Sequence, residues 1–192
     1  MIKSLRAAFV TSVVGLAGCV GSLYTLWTGP DMVSEPGIVG TWTDSTGKGW
    51  VDVRATGPAV YRVTMRDDSG KIGMFQGMLG RLDGRLVLDV QPNVTQLDVP
   101  AMYMGMLQPM HTFVLLDSIG EHPRFSILDT DSLRKYLVAH PAAVRADTFG
   151  GGVILEGPPR RLQAFLRVYL QRPGVASPPG VMRRCEGCQV PK

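Results

Sequence analysis

Glycine and proline cut the middle of the chain into short runs, and within those runs apolar and polar residues alternate. That combination admits strands and excludes long helices. The clearest run places Tyr61, Val63 and Met65 on one side of an extended segment and Arg62, Thr64 and Arg66 on the other. A helix advances about 100° per residue and scatters three such residues, whereas a two-residue period lines them on one face. Ile38 to Thr43 reads as a first strand and Trp50, Val51 and Val53 as part of a second. Ile72 to Leu79 continues the series, with Gly73 and Gly77 expected at bulges. Asp67-Asp68-Ser69-Gly70 has turn chemistry, and Asp83-Gly84 predicts a tight hairpin into Leu86, Leu88 and Val90. Pro92 to Pro109 is expected as a long loop, followed by a hairpin of His111 to Asp117 with Arg124 to Leu128.

Two helical periods interrupt this series. Thr130 or Asp131 is placed to cap a helix over residues 131–140, with Leu133, Tyr136 and Leu137 as its apolar stripe and Pro141 as its stop. Pro158-Pro159 opens a second over 159–171, striped by Leu162, Phe165, Leu166, Tyr169 and Leu170. A short apolar run, Val153 to Leu155, lies between them. The fold class expected is mainly β (α+β): an antiparallel meander forming a barrel-like or strongly curved sheet, with two packed helices. No solenoid repeat is visible.

The start of the chain has a different character. Lys3 and Arg6 precede an apolar run from Ala7 to Leu16, interrupted only by Thr11, Ser12 and Gly15. A run of about ten residues suits a secretory h-region and is about half of what spans a bilayer. It ends in Leu16-Ala17-Gly18-Cys19, which resembles the bacterial lipobox. The resemblance implies cleavage before Cys19 and diacylglycerol on its thiol. It divides the chain into a signal peptide (1–18), a tether (19–36) whose Tyr24, Leu26 and Trp27 lie at the membrane interface or dock on the domain, and one globular β-rich domain (37–192). One acyl chain holds a protein only reversibly, at about 0.8 kcal/mol per buried methylene, so two or three give durable anchoring. Val20, rather than an acidic residue, follows the cysteine, which favours the outer membrane facing the periplasm in a two-membrane bacterium. The location implied is the bacterial cell envelope.

Hydrophobic residues make up 45% of the chain, enough for one core, and twenty basic against sixteen acidic residues give +4. The excess sits at the end, where Arg160, Arg161, Arg167, Arg172, Arg183, Arg184 and Lys192 face one acid, Glu186. Such a basic tail is either solvated or held by an anionic surface.

Gly40-Thr41-Trp42 at the head of the meander resembles the Gly-x-Trp opening of lipocalin-like barrels, over about residues 38–90. The two later helices depart from that family's plan of one terminal helix. The resemblance implies an apolar cavity above the tryptophan, bordered by Trp42, Trp50, Tyr61, Val63 and Met65, with an apolar small molecule as its ligand.

Two clusters carry softer chemistry. Met102, Met104 and Met106 alternate, with Met110 and His111 behind them. Thioethers and imidazole suit a soft cation such as Cu(I), provided that an extended backbone places the alternating sulfurs on one face, and methionine equally fills irregular apolar gaps. Cys185-Glu186-Gly187-Cys188 reads as a local disulfide in an oxidising compartment, with a redox pair or half a zinc site as alternatives. His140 suits a helix C-terminus, His122 a turn, and His111 an internal hydrogen bond. No Gly-x-Ser-x-Gly elbow, P-loop lysine or nucleic-acid signature is present. The sequence therefore leads to a non-catalytic, lipid-anchored envelope protein that binds an apolar small molecule or an envelope protein, with no cofactor and no nucleic acid. The alternative is a periplasmic metal- or thiol-handling protein using the methionine cluster or the terminal cysteines.

Overall fold

The computed structural model describes residues 19–104 and 106–191, so the signal-peptide expectation over 1–18 lies outside the described residues. The strands are β1 (Val20–Ser22), β2 (Gly40–Thr43), β3 (Trp50–Gly57), β4 (Val60–Arg66), β5 (Ile72–Leu82) and β6 (Arg85–Pro92). They continue as β7 (Thr112–Ser118), β8 (Arg124–Ile127), β9 (Arg145–Phe149), β10 (Gly152–Glu156), β11 (Gly180–Val181) and β12 (Arg183–Arg184). The helices are α1 (Ala101–Met104), α2 (Thr130–Ala139) and α3 (Pro159–Tyr169). The fold is mainly β, and its principal sheet is an antiparallel meander ordered β11-β8-β7-β6-β5-β4-β3-β2-β12.

The meander all but closes into a barrel through a segment in which no strand was expected. Gly180 and Val181 pair with Phe125 and Arg124 of β8, while Arg183 and Arg184 pair with Thr43 and Trp42 of β2. Between them the Met182 amide donates to the Pro123 carbonyl. One extended stretch thus spans the gap between the two ends of the meander, which removes most of the exposed edge. The basic tail is in this part structural: the Arg184 guanidinium stacks 3.9 Å from the Trp42 ring centroid and donates to the Val39 carbonyl at 2.8 Å.

Alternation along the strands gives two cores, one on each face of the sheet. Inside, Trp42, Val53, Tyr61, Val63, Leu79, Leu86 and Leu88 pack with Ile38 and Met182. Outside, Leu82, Val87, Phe113 and Leu115 pack against Leu155 of β10, Leu133 of α2, and Leu162, Phe165 and Leu166 of α3. The second sheet, β1-β10-β9, belongs to this outer layer, with β1 parallel to β10.

Local chemistry explains most element ends. Asp83 and Gly84 both take positive φ, 46° and 86°, as the β5–β6 hairpin requires. Both longer helices fall within two residues of their expected bounds, but Asp129, not Thr130 or Asp131, is the N-cap of α2, accepting from the Ser132 amide at 2.8 Å. Gly73 and Gly77 are not bulges: β4 and β5 pair without a register shift, and the shifts fall at Ala55/Gly57 and Leu116/Ser118. Gly77 instead makes room for Leu88, whose Cδ1 lies 3.0 Å from where a Cβ would sit.

Of the two places expected for the tether, at the membrane interface or docked on the domain, Leu26 and Trp27 take the second. Residues 20–36 are docked on the barrel rather than left as a spacer, with Val20, Leu26 and Trp27 at most 4% exposed. Trp27 lies over Gly80 of β5, where an added Cβ would come within 2.4 Å of the ring, and its Nε1 donates to the Val87 carbonyl at 3.1 Å. Met32 bridges to Gly80, and the Val33 amide donates to the Leu79 carbonyl. Gln163 of α3 closes the layer by donating to the Leu26 carbonyl and Asp31. The glycines and prolines that make this stretch look like a linker hide the apolar contacts that hold it.

One buried group in the outer core is left unsatisfied. The Tyr169 hydroxyl has no hydrogen-bond partner among the described residues. Burial, with the Asp129 charge adding to it, pushes its pKa up to about 12. Because that value lies above the ordinary one, the stability it contributes is present below about pH 10 and is lost as pH rises from about 10 to 12. Tyr169→Phe should therefore match or exceed wild-type stability at neutral pH, by up to about 1 kcal/mol. It should also lose less stability over the alkaline interval, as read by guanidinium unfolding at a series of pH values.

Candidate functional site

Cys19 directly precedes β1, with no spacer between it and the packed domain. It is the free cysteine among the described residues, and its side chain is half-buried. Burial pushes its thiol pKa up, which lowers the thiolate fraction of an unmodified Cys19. Its carbonyl lies against Gly152 of β10, 2.6 Å from where a Cβ would be, so only glycine fits there. Gly152 pairs in turn with Phe149 of β9 across the Gly150-Gly151 turn, whose residues take φ of 55° and 83°.

The other two cysteines are joined to each other as a Cys185–Cys188 disulfide, with Cα atoms 5.7 Å apart. The Cys185 amide donates to the Thr41 carbonyl, so the loop hangs from the strand that closes the barrel.

The expected cavity residues separate. Trp42, Tyr61 and Val63 line the barrel interior, and Tyr61 Oη accepts from the Glu35 amide at 2.9 Å. Met65 shares their face but is 38% exposed. Trp50 is on the other face, opposite Thr43 and Arg66, and is buried outside the interior cluster. The two-residue period accounts for this, since Trp50 is out of phase with Val51 and Val53. In the interior, Trp42, Tyr61 and Val63 pack with Leu79, Leu86, Leu88, Ile38 and Met182. Two hollows lie elsewhere on the surface. One of about 400 Å³ borders Thr43, Gly47 and residues 183–186, and one of about 140 Å³ lies between Leu82, Asp83, Arg85 and α3.

The methionine cluster is also taken apart. Met102 and Met104 are on α1, where residues two apart point about 200° from one another, so the one-face geometry that an extended strand would give does not arise. Met102 and Met106 are exposed to solvent, at 72% and 75%, while His111 is buried. Met110 lies against Gly21 of β1. Among the described residues no group of three or more His, Cys, Asp or Glu side chains is placed to hold a metal ion.

His111 is engaged with a residue that sequence reasoning missed. Asp89 of β6 is fully buried, and its Oδ1 lies 2.8 Å from His111 Nδ1. Its Oδ2 accepts from the Leu26 amide at 2.7 Å and from Thr25 Oγ1 at 2.9 Å. Ser22 and His111 add a backbone bridge, each amide donating to the other's carbonyl at 2.9 Å. Asp89 thus fixes the stretch just after Cys19 to the barrel. A signal for it existed: in Leu86-Val87-Leu88-Asp89-Val90 both faces of the strand are apolar, so the carboxylate had to be buried and partnered.

Among the described residues no helix is long and apolar enough to cross a membrane. No protein-family model matches the chain, and no curated protein sequence or solved structure matches it.

Proposed function

We propose that this chain is a lipid-anchored protein of the bacterial envelope, carried on Cys19, and that its barrel serves as a non-catalytic interaction module for another envelope protein. The observation that carries this reading is the place of Cys19. The residue that the lipobox marks for diacylglycerol is the one free thiol among the described residues, and it stands immediately before the first packed strand. Cys185 and Cys188 satisfy each other, which leaves Cys19 for modification. The interior packing of Trp42, Tyr61 and Leu88 supports a scaffold over a carrier of small molecules, because these side chains stabilise the sheet from inside and take up interior space. The envelope protein is the partner class and the outer membrane, facing the periplasm, the favoured site.

Cys19→Ser tests the anchor. Labelled palmitate should be lost from the protein, and the protein should move from the membrane fraction to the soluble fraction. Retention of label and membrane association in that variant would exclude lipidation at Cys19. The substitution removes a half-buried sulfur ahead of β1, so circular dichroism should show an unaltered fold.

A further inference from the structure

Cys19, Gly152 and Phe149 form a row across the β1-β10-β9 sheet. Val20 pairs with Val153, and both are buried in the outer core, so Gly152 faces the other way, and the Cys19 carbonyl, 2.6 Å from where a Gly152 Cβ would sit, puts Cys19 on that side too. Phe149, which pairs with Gly152, shares that face. Neighbouring strands are about 4.8 Å apart, which puts the backbones of Cys19 and Phe149 about 10 Å from each other. Gly152 contributes no side chain between them. Phe149 is 73% exposed at the tip of a hairpin, a place where a large aromatic ring gains nothing from the protein core. Beside it, Arg134 of α2, ion-paired to Asp131 at 2.8 Å, also donates to the Gly151 carbonyl at the same tip.

We infer that this hairpin tip is a bilayer-contacting surface, with Phe149 entering the headgroup and acyl boundary beside the Cys19 lipid. The inference rests on lipidation of Cys19. Residues that follow a lipidated cysteine usually give a domain room to stand off, but here the next residue, Val20, is already 4% exposed in the core. A glyceryl group on Cys19 lies at headgroup level, which brings a tip about 10 Å away within reach of that layer. The Phe149 ring then has apolar surroundings on the side that the protein leaves open. The occupant of this face is therefore the membrane, and the barrel is held flush against it rather than on a flexible leash.

The test uses the full chain, processed and purified from membranes, carrying Phe149→Cys or, as a control on the exposed face of β4, Arg62→Cys, each with a nitroxide label. The protein is placed in vesicles of phosphatidylethanolamine and phosphatidylglycerol. Collision rates with oxygen and with a water-soluble nickel chelate report the depth of the label. At position 149 the oxygen-to-nickel ratio should be several-fold higher than at position 62. Intact mass of the N-terminal peptide is measured on the same samples. Lipid on Cys19 together with an aqueous ratio at position 149 would overturn the bilayer contact while leaving the anchor. An unmodified Cys19 would overturn both. Dipolar broadening between labels at position 149 would assign the tip to a second copy of the chain and overturn the membrane contact.

Discussion

Asp89→Ala should destabilise the protein by about 3–5 kcal/mol, although Asp89 makes no contact with solvent and no contact with any residue the lipobox marks. Truncation removes the acceptor of the Leu26 amide and the Thr25 hydroxyl and the partner of His111 Nδ1. Each buried polar group left unpaired costs about 1–3 kcal/mol, and the side chain's own volume is lost as well. Asp89→Asn keeps the shape and one acceptor oxygen, so it should cost less than the alanine. Guanidinium unfolding gives the magnitude, and hydrogen exchange gives the location: amides of residues 20–28 should lose protection before those of β3 and β4. Uniform loss of protection across the barrel, with a small midpoint shift, would show that Asp89 does not act as the clamp of this segment.

Trp27→Ala should cost a similar amount, about 3–5 kcal/mol, because a fully buried ring is removed from a seat that is flat and cannot collapse. The seat is Gly80, and it supplies an independent check. A Cβ there would lie 2.4–2.6 Å from three ring carbons, and the ring cannot move aside without breaking its bond to the Val87 carbonyl. The φ of Gly80 is not positive, so the backbone itself accepts alanine. Gly80→Ala should therefore cost about 1–3 kcal/mol in the native background and close to nothing once Trp27 is alanine. Additive costs in the double variant would mean that the ring and the glycine do not meet as described. Both substitutions also loosen the segment that ties Cys19 to the barrel, so they lengthen the reach between a lipid on Cys19 and the domain.

The strands and helices that were legible in the sequence owe their clarity to local causes. Tyr61-Val63-Met65 against Arg62-Thr64-Arg66 has a period only a strand satisfies, and Asp83-Gly84 supplies two residues that tolerate positive φ side by side. The stripe from Leu162 to Tyr169 makes a helix face at any position in the fold, and it packs as expected. Features that depend on a distant partner were not legible. Val20–Ser22 is too short to show a period, and its strand exists because β10 offers a parallel edge. Gly180–Arg184 looks like a tail until β8 and β2 present their unpaired edges to it. Trp50 looked like a cavity residue because aromatic content was read without its phase. The alternating methionines looked like a ligand set because an extended backbone was assumed where α1 begins.

The sequence by itself determined that this chain would be built of short antiparallel strands with two helices, where its hairpins turn, and which cysteine ends the motif that resembles a lipobox. Those properties follow from periodicity, turn chemistry and a contiguous motif, all of which act over a few residues. Only the tertiary structure decided that residues 20–36 dock on the barrel and that Asp89 and Gly80 hold them there. Each contact that holds this segment joins residues far apart in the chain, 63 positions for Leu26 and Asp89 and a similar span for Trp27 and Gly80, and no local pattern encodes which partner a buried group will find.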